Sequence, residues 1–523
     1  MIQFNSVIPV LFKGYALLAP ELLLIIAAGW ALFADRLPGR DRAAAAIAAV
    51  LVLISGLIMG CTAKNTTLFA QKLIFTSDSR LGSVALCALV FIWLVWTAAA
   101  GRGRTAEAVA LVCLSLTGAL LAIQAADVIV MLVAIELSAM PIYILIGYRR
   151  KRIAGLEGAL KYFLLAMLTS LFLFYGASFV FGLVGTTSYG ALPNLPNEPL
   201  ATVALIFLFV GILAKMSAAP FHFWAPDAYA GAEPWSVAFA ATVPKIAAGF
   251  VLVRLMIFLS AAQTQTPLLK WTLLIAAVLS MVIGSLSALT QKDVRRMMAY
   301  SGIVNTGYVM LALGLVGTAA SSSGLVAAWL FLVAYALPTM GILLIVSSEG
   351  GRVADLIGLS RRRPLAAACL AICALSLVGI PPLVGFFGKF FIFIAGVAGS
   401  LLPFVILMVI VSVTSAFYYL RMLKAAFFDK PEDAQSEEPD LSEERYFGWL
   451  LDADDDEASA SGSGSGEDAE GEDGSRHVPV TGVEPARKVS WGAEAAIVFC
   501  ALLTLAAGPA SGLIMAWLSN PRY

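Results

Sequence analysis

The chain has 523 residues, of which 60% are hydrophobic and only 13% are charged. Soluble globular domains carry about 25% charged residues. Apolar runs long enough to cross a bilayer core of roughly 30 Å recur along nearly the whole sequence. This composition indicates a polytopic membrane protein. It excludes a soluble enzyme, a nucleic-acid-binding protein and a secreted disulfide scaffold.

The formal net charge of zero conceals an uneven distribution. Residues 429–490 contain 19 acidic and 5 basic side chains, so the rest of the chain is correspondingly basic. This stretch also contains the low-complexity run Ser459–Gly466. High charge with low hydrophobicity predicts a disordered loop, and we favour a solvated insert over the alternative of a specific docking role.

The apolar runs predict about fourteen transmembrane helices. Their approximate ranges, in chain order, are 15–34, 43–61, 81–100, 107–126, 127–147, 158–184, 200–222, 237–261, 268–290, 297–316, 322–346, 365–399, 401–428 and 492–518. The boundary between the fourth and fifth spans rests on the short polar turn from Gln124 to Asp127.

Lysine and arginine residues in the connections predict the orientation. The loops after spans 1, 3, 5, 9 and 11 contain 16 of them, whereas the termini and the loops on the opposite side contain 6. Cytoplasmic loops carry an excess of these residues. We therefore expect both termini on the periplasmic side and the acidic loop after span 13 in the cytoplasm.

The rare side chains argue against redox chemistry within this chain. It has two histidines, His222 and His477, and none of its six cysteines forms a CxxC pair. An HExxH zinc motif and a haem held by two histidines on neighbouring helices are therefore excluded. We expect no cofactor and no metal site in this chain.

We select five ionisable side chains that lie inside apolar spans, where a charge costs at least about 2.5–3.5 kcal/mol. They are Glu136, Lys161, Lys215, Lys245 and Lys389. Apolar residues stabilise helix packing better than buried ion pairs do, because a buried ion pair often fails to recover its desolvation cost. The set therefore predicts an ionisable path inside the helix bundle rather than five structural ion pairs.

Two of the predicted spans contain helix breaks near these lysines. Pro220 and Pro226 flank His222 at the end of span 7, and the pair Pro381-Pro382 interrupts span 12. A straight helix over 365–399 would run about 52 Å, far more than the bilayer core requires. Broken helices in membranes are tolerated only where they are buried in protein or face water.

The broken spans, seven and twelve, are five apart, which divides spans 4–13 into two five-helix repeats of inverted orientation. Paired interrupted helices in inverted repeats point to an ion site near the membrane midplane. The predicted fold class is thus an all-α polytopic membrane protein. Its segments are N-terminal helices 1–3 in 1–106, the repeats in 107–261 and 268–428, the acidic cytoplasmic loop in 429–490 and the last helix in 491–523.

Three long motifs resemble those of the antiporter-like membrane subunits of respiratory complex I. They are AKMSAAPFHFWAPDAY at 214–229, SALTQKDVRRMMAYS at 287–301 and GIPPLVGFFGKF at 379–390. The resemblance covers residues 107–428. Lys389, where subunit M of the family carries a glutamate, and the lack of a long C-terminal lateral helix favour the subunit N branch. The acidic insert departs from the compact loop that is usual in the family.

The resemblance implies a proton-translocating subunit of NADH:quinone oxidoreductase in a bacterial inner membrane. Its partners would be the other membrane subunits, including neighbouring antiporter-like and small hydrophobic ones. The FMN, iron–sulfur clusters and quinone would belong to partner subunits. Within this chain, Glu136 would pair with Lys215, the central proton-accepting residue of the first half-channel, and Lys161 would help to set the charge balance near it.

The resemblance also implies how protons would move on from Lys215. Lys245, with His222 and ordered water, would relay protons laterally, and Lys389 would serve the second half-channel. A charge displacement arriving from a neighbouring subunit would pull Glu136 away. The unpaired Lys215 would then lose its proton toward Lys245.

Other functions share this architecture. One alternative is a subunit of a multi-subunit cation/proton antiporter, and another is a subunit of a related membrane hydrogenase or photosynthetic dehydrogenase. The sequence does not identify the electron donor, because the donor site would lie on another subunit. A solitary solute carrier is disfavoured, since no span offers a cluster of polar groups suited to an organic substrate.

Overall fold

The computed structural model describes residues 17–34, 41–61, 66–100, 105–148, 153–260, 266–430 and 490–518. In these ranges ten helices are long and apolar enough to cross a membrane, and four shorter apolar helices accompany them. The chain is therefore a multi-pass α-helical membrane protein. Every predicted span overlaps a helix, although the total of fourteen spans stays a prediction. Nearly all of the predicted acidic loop lies outside the described residues.

The helices of the first part of the chain are α1 (Ala19–Ala34), α2 (Asp41–Cys61), α3 (Ser77–Ala100), α4 (Thr105–Gln124), α5 (Val128–Ile146), α6 (Ile153–Val184), α7 (Pro199–Lys215), α8 (Trp224–Gly231), α9 (Pro234–Ala240) and α10 (Val243–Leu259). They are followed by α11 (Thr266–Leu289), α12 (Val294–Leu313), α13 (Ser321–Glu349), α14 (Leu359–Arg362), α15 (Pro364–Val378), α16 (Val384–Ala398), α17 (Leu402–Phe427) and α18 (Trp491–Leu518). Two short 3₁₀ helices cover Tyr189–Asn194 and Ala354–Leu356.

Local side-chain chemistry marks where several helices begin. The carboxylate of Asp127 accepts hydrogen bonds from the first backbone amides of α5, and Asp293 does the same for α12. Such caps satisfy amide groups that have no partner within the helix. Proline occupies the first turn of α7, α9, α10, α15 and α17, where its missing N–H costs nothing.

A short β-hairpin departs from the all-helical prediction. Strand β1 (Thr66–Leu68) pairs antiparallel with β2 (Leu73–Phe75), with Thr66 opposite Phe75. Three-residue strands between two long apolar runs carry too little alternation to be recognised from sequence. Lys72 in the hairpin turn forms an ion pair with Asp127, which connects the hairpin to the start of α5.

The structure confirms both predicted helix breaks. Helix α7 ends at Lys215 and α8 begins at Trp224, while α15 ends at Val378 and α16 begins at Val384. Gly379 caps α15 with a φ of 97°, a left-handed conformation that glycine adopts without steric cost. The chemistry of proline and glycine therefore locates both breaks correctly.

A third discontinuity lies in the predicted span 237–261, which we expected to be one continuous helix. Helix α9 ends at Ala240 and α10 begins at Val243, two residues before Lys245. Pro244 in the first turn of α10 cannot donate a backbone hydrogen bond to the preceding turn. All three lysines at the centre of the predicted path therefore lie within a few residues of a helix discontinuity.

The buried centre of the described bundle is formed by α10 and α13. Both are covered by other helices along most of their length. Helix α13 packs against α9, α10, α12, α15, α16 and α18, and α10 also packs against α4. This arrangement places the groups on α10, α12 and α13 far from the exposed surface of the chain. The boundaries of the two inverted repeats stay predictions.

Candidate functional site

Lys215 forms a buried ion pair with Glu136. The Lys215 Nζ lies 2.9 Å from Glu136 Oε1, and the two side chains are 5% and 14% exposed. Ser170 of α6 donates a hydrogen bond to the same carboxylate oxygen, and Lys215 Nζ lies 3.4 Å from the hydroxyl of Tyr143. The structure thus brings together the two residues that the family resemblance pairs.

The position of Lys215 at the end of α7 favours its positive charge. The last carbonyl groups of a helix carry a partial negative charge, which interacts favourably with a cation in the last turn. The carboxylate of Glu136 is less fully satisfied, because its Oε2 is buried and has no hydrogen-bond partner among the described residues. In this pair the end of α7 stabilises the Lys215 cation, whereas Oε2 of Glu136 can still accept a hydrogen bond.

His222 lies in the non-helical segment that separates α7 from α8. Its side chain is buried, and its Nδ1 has no hydrogen-bond partner in the described part of the chain. The indole N–H of Trp224 donates to the carbonyl of Ala214 at 3.1 Å, and the hydroxyl of Thr306 donates to the carbonyl of Met216 at 3.0 Å. These two side-chain bonds connect the broken end of α7 to α8 and to α12, and the carbonyl of Ala214 also accepts from the backbone amide of Ser217.

Lys245 is buried near the start of α10, with only 2% of the residue exposed. Its Nζ has no hydrogen-bond partner among the residues described. A methyl group added at Gly302 of α12 would lie 2.8 Å from this Nζ and 3.2 Å from the hydroxyl of Tyr335. Glycine at position 302 therefore creates the space for the amine. A buried ammonium group without an acceptor is costly, so Lys245 carries a charge only when water or another polar group joins it.

Lys389 is held by three oxygen atoms instead of a carboxylate. Its Nζ donates to the carbonyls of Leu377 at 2.8 Å and Val378 at 3.0 Å, and to Ser412 Oγ at 2.9 Å. An ammonium group has three hydrogens, so all of its donors are used. The carbonyls belong to the last turn of α15, the negative end of that helix, and the ring of Tyr308 lies 5.5 Å away.

One helix, α12, contacts both of these lysines. Gly302 lies beside Lys245 and Tyr308 beside Lys389. On the same helix Asn305 donates to Ser301 Oγ at 3.4 Å, and Ser301 shares a hydrogen bond with the hydroxyl of Tyr419 on α17. Sequence reasoning did not select these neutral residues, although Ser301 ends the second quoted motif.

Lys161 contacts a different set of charges. Its Nζ lies 2.6 Å from Glu157 and 3.1 Å from Asp227 of α8, and its side chain is about half exposed. Asp227 also pairs with Arg296 of α12 at 3.2 Å. This charge cluster joins α6, α8 and α12. The predicted influence of Lys161 on the charge balance of Lys215 stays a prediction, and Asp227 is a charged residue that sequence reasoning did not select.

No group of three or more His, Cys, Asp or Glu side chains is positioned to hold a metal ion within the ranges that the structure describes. The six cysteines are unpaired, and all except Cys61 are buried. The expectation that FMN, iron–sulfur clusters and quinone belong to other subunits stays a prediction.

Buried lysines beside interrupted helices define a class of ion-translocating membrane proteins. Residues 125–416 match the family described as NADH:quinone oxidoreductase/Mrp antiporter, TM. The chain is 39% identical over 400 residues to NADH-quinone oxidoreductase subunit N of Maricaulis maris, covering 74% of this chain and 81% of that protein. It is 37% identical over 450 residues to subunit N 1 of Acidiphilium cryptum, covering 83% and 90%. The chain therefore belongs to the family of antiporter-like membrane subunits that includes NADH-quinone oxidoreductase subunit N.

Solved structures show the same fold. A chain of respiratory complex I from Thermus thermophilus, determined with bound aureothin, superposes with a TM-score of 0.74 at 28% identity, covering 95% of this chain and 99% of that chain. A chain of the Mrp complex from Dietzia sp. DQ12-45-1b superposes with a TM-score of 0.72 at 21% identity, covering 98% and 94%. The second likeness concerns the fold alone.

Proposed function

We propose that this chain is the N subunit of a bacterial NADH:quinone oxidoreductase and that it carries protons across the inner membrane while partner subunits transfer electrons from NADH to quinone. The names of its relatives and its family membership support this assignment. Its partners are the neighbouring antiporter-like and small hydrophobic subunits. FMN, the iron–sulfur clusters and the quinone belong to those other subunits. The charge bias of the loops supports periplasmic termini.

The proton path begins at Lys215 with Glu136, continues through His222 and Lys245, and ends at Lys389. The observation that carries this proposal is the buried ion pair at the broken end of α7. Removing one partner of a buried pair costs about 3–5 kcal/mol, because the other charge is left without compensation. Because about 1.4 kcal/mol corresponds to a factor of ten, moving Glu136 away from Lys215 favours release of the lysine proton roughly 100- to 4,000-fold.

The polar groups of α12 support the second part of the path. Gly302 beside Lys245 and Tyr308 beside Lys389 are separated by about 9 Å along the axis of α12, so we infer that protons pass between the two lysines through intervening groups. The hydroxyl of Ser301, the residue before Gly302, shares a buried hydrogen bond with the hydroxyl of Tyr419 on α17. Hydroxyl groups both donate and accept hydrogen bonds, so with bound water they can connect the two amines.

The test is Glu136→Gln in the assembled complex, in inside-out membrane vesicles energised with NADH. We expect fewer protons pumped per NADH oxidised, because an amide cannot hold Lys215 charged. Glu198→Gln is the matched control, since Glu198 is exposed at the start of α7, the same helix. Wild-type pumping in an assembled Glu136→Gln complex would refute the assignment of this pair.

A multi-subunit cation/proton antiporter is the second candidate, because the matching family description includes Mrp antiporters. Purification of the tagged chain in mild detergent, with mass spectrometry of the proteins that accompany it, distinguishes the two. Flavin- and iron–sulfur-containing dehydrogenase subunits with NADH-driven quinone reduction are expected. Recovery of small hydrophobic antiporter-type subunits alone, without redox activity, would replace our proposal by the second candidate.

A further inference from the structure

Glu21 is a buried carboxyl group that the proposed proton path does not use. It lies in the first turn of α1, and only 3% of the residue is exposed. Gln124, the last residue of α4, donates from Nε2 to Glu21 Oε1 at 2.7 Å. The same Nε2 lies 3.9 Å from the sulfur of Met59 in α2. The pair is therefore enclosed by the N-terminal helices.

Two oxygen atoms of this pair lack hydrogen-bond donors. Glu21 Oε2 and Gln124 Oε1 are both buried and have no partner in the described part of the chain. The amide nitrogen has two hydrogens, which point to the carboxyl oxygen and to the sulfur, so it cannot serve either of them. If Glu21 is ionised, its Oε2 and the Oε1 of Gln124 are both acceptors without a donor. A hydrogen on Glu21 Oε2 removes this conflict, because an acid and an amide can form two hydrogen bonds with each other.

The alternative orientation of the amide leads to the same conclusion. Exchanging the oxygen and nitrogen of Gln124 would place its oxygen against Glu21 Oε1, and a short contact between these oxygens requires a hydrogen on the acid. The assignment of a proton to Glu21 is thus independent of how the amide is oriented.

The surroundings of Glu21 do not favour its anion. Among the described residues, the groups that face it are Gln124 of α4, Met59 of α2, the thiol of Cys87 on α3 and its own backbone amide, and no described lysine or arginine pairs with it. The amino-terminal end of α1 favours a negative charge, but a buried ion loses more in desolvation than this dipole restores. A neutral carboxylic acid fits this site better than a carboxylate.

We propose that Glu21 is a further proton-binding site, held as a neutral carboxylic acid by its pair with Gln124. It lies in the N-terminal helices, to which the sequence prediction assigned no functional residue. The inference rests on the membrane-embedded fold and on this pair of side chains. It does not require that the chain pumps protons.

Infrared difference spectroscopy of the assembled, membrane-embedded complex at neutral pH tests the proposal. Glu21→Gln is expected to lose one carbonyl-stretch band of a protonated carboxylic acid, a band that shifts in D₂O. Glu107→Gln is the matched control, because Glu107 is an exposed residue of α4, the helix that also carries Gln124. Loss of carboxylate absorption in Glu21→Gln, with the acid region unchanged, would overturn the proposal.

The double variant Glu21→Gln, Gln124→Glu keeps one acid and one amide with their positions exchanged. We expect it to restore a band of a protonated acid and to assemble even if Glu21→Gln alone does not. An assembled double variant that shows only carboxylate absorption would contradict the proposal, since it would show that this enclosure ionises a carboxyl group.

Discussion

Ser412→Ala removes one of the three oxygens that hold the ammonium group of Lys389. The serine hydroxyl accepts from Lys389 Nζ at 2.9 Å, and the other two acceptors are backbone carbonyls that a substitution cannot delete. This variant therefore changes the environment of the proposed terminal proton carrier while leaving the lysine and the helix break in place.

The magnitude follows from the lost bond. A hydrogen bond to a charged group contributes about 1.5–3 kcal/mol. Because about 1.4 kcal/mol corresponds to a factor of ten, the charged form of Lys389 becomes roughly 10- to 100-fold less favourable relative to the neutral form. The alanine leaves a small space that a water molecule can fill, which places the expected effect toward the lower end of this range.

The assay is the number of protons pumped per NADH oxidised by the assembled complex in proteoliposomes. We expect Ser412→Ala to pump fewer protons with normal assembly and with NADH oxidation toward an artificial acceptor unchanged. Ser415→Ala is the control, because Ser415 is buried in the same helix and its hydroxyl donates to the backbone of residue 412 instead of contacting Lys389. Equal pumping by the two variants would refute the view that the three oxygens around Lys389 Nζ stabilise its protonated form.

Two further predictions concern other parts of the bundle. Gly302→Ala would place a methyl group 2.8 Å from Lys245 Nζ, so we expect reduced pumping in an assembled complex, whereas Gly182→Ala, where no atom lies within 4 Å, should pump normally. Burial alone would raise the pKa of the Asp127 carboxyl group. Hydrogen bonds from Lys72 and Thr187 outweigh this effect of burial and lower the pKa below 3.8. Its contribution to stability is therefore complete above that value and lost as the pH falls through the lower folded-state pKa. Thermal unfolding of the complex, measured as the pH is lowered from 6 to below 3.8, should show this loss, and Asp127→Asn should lack it. An acid dependence unchanged in that variant would assign the loss to other groups.

The membrane-embedded charges and the helix breaks could be recognised before the structure was known, because both depend on local chemistry. A lysine such as Lys215 is unfavourable in an apolar span wherever that span packs. The proline pair at 381 and 382 interrupts a helix whatever its neighbours are. The unpredicted break between α9 and α10 shows the limit of this reasoning, since a single Pro244 permits continuation with a local disruption as well as a stop.

The residues that complete the candidate site could not be recognised in this way. Gly302 is one of 44 glycines in the chain, and only its approach to Lys245 distinguishes it from the others. The acceptors of Lys389 include two backbone carbonyls, which every residue carries. Glu21 was not selected from the sequence, although it lies inside the predicted span 15–34, and only its contact with Gln124 distinguishes it.

The amino-acid sequence by itself determined that this is a polytopic membrane protein, where two of its helices are interrupted and that Glu136 and several lysines lie inside its apolar spans, because hydropathy, proline and charge act over a few residues along the chain. The tertiary structure decided which charge meets which partner. Glu136 and Lys215 are 79 positions apart, and Glu21 and Gln124 are 103 apart. Contacts of this kind depend on how helices pack against one another, which no local pattern specifies.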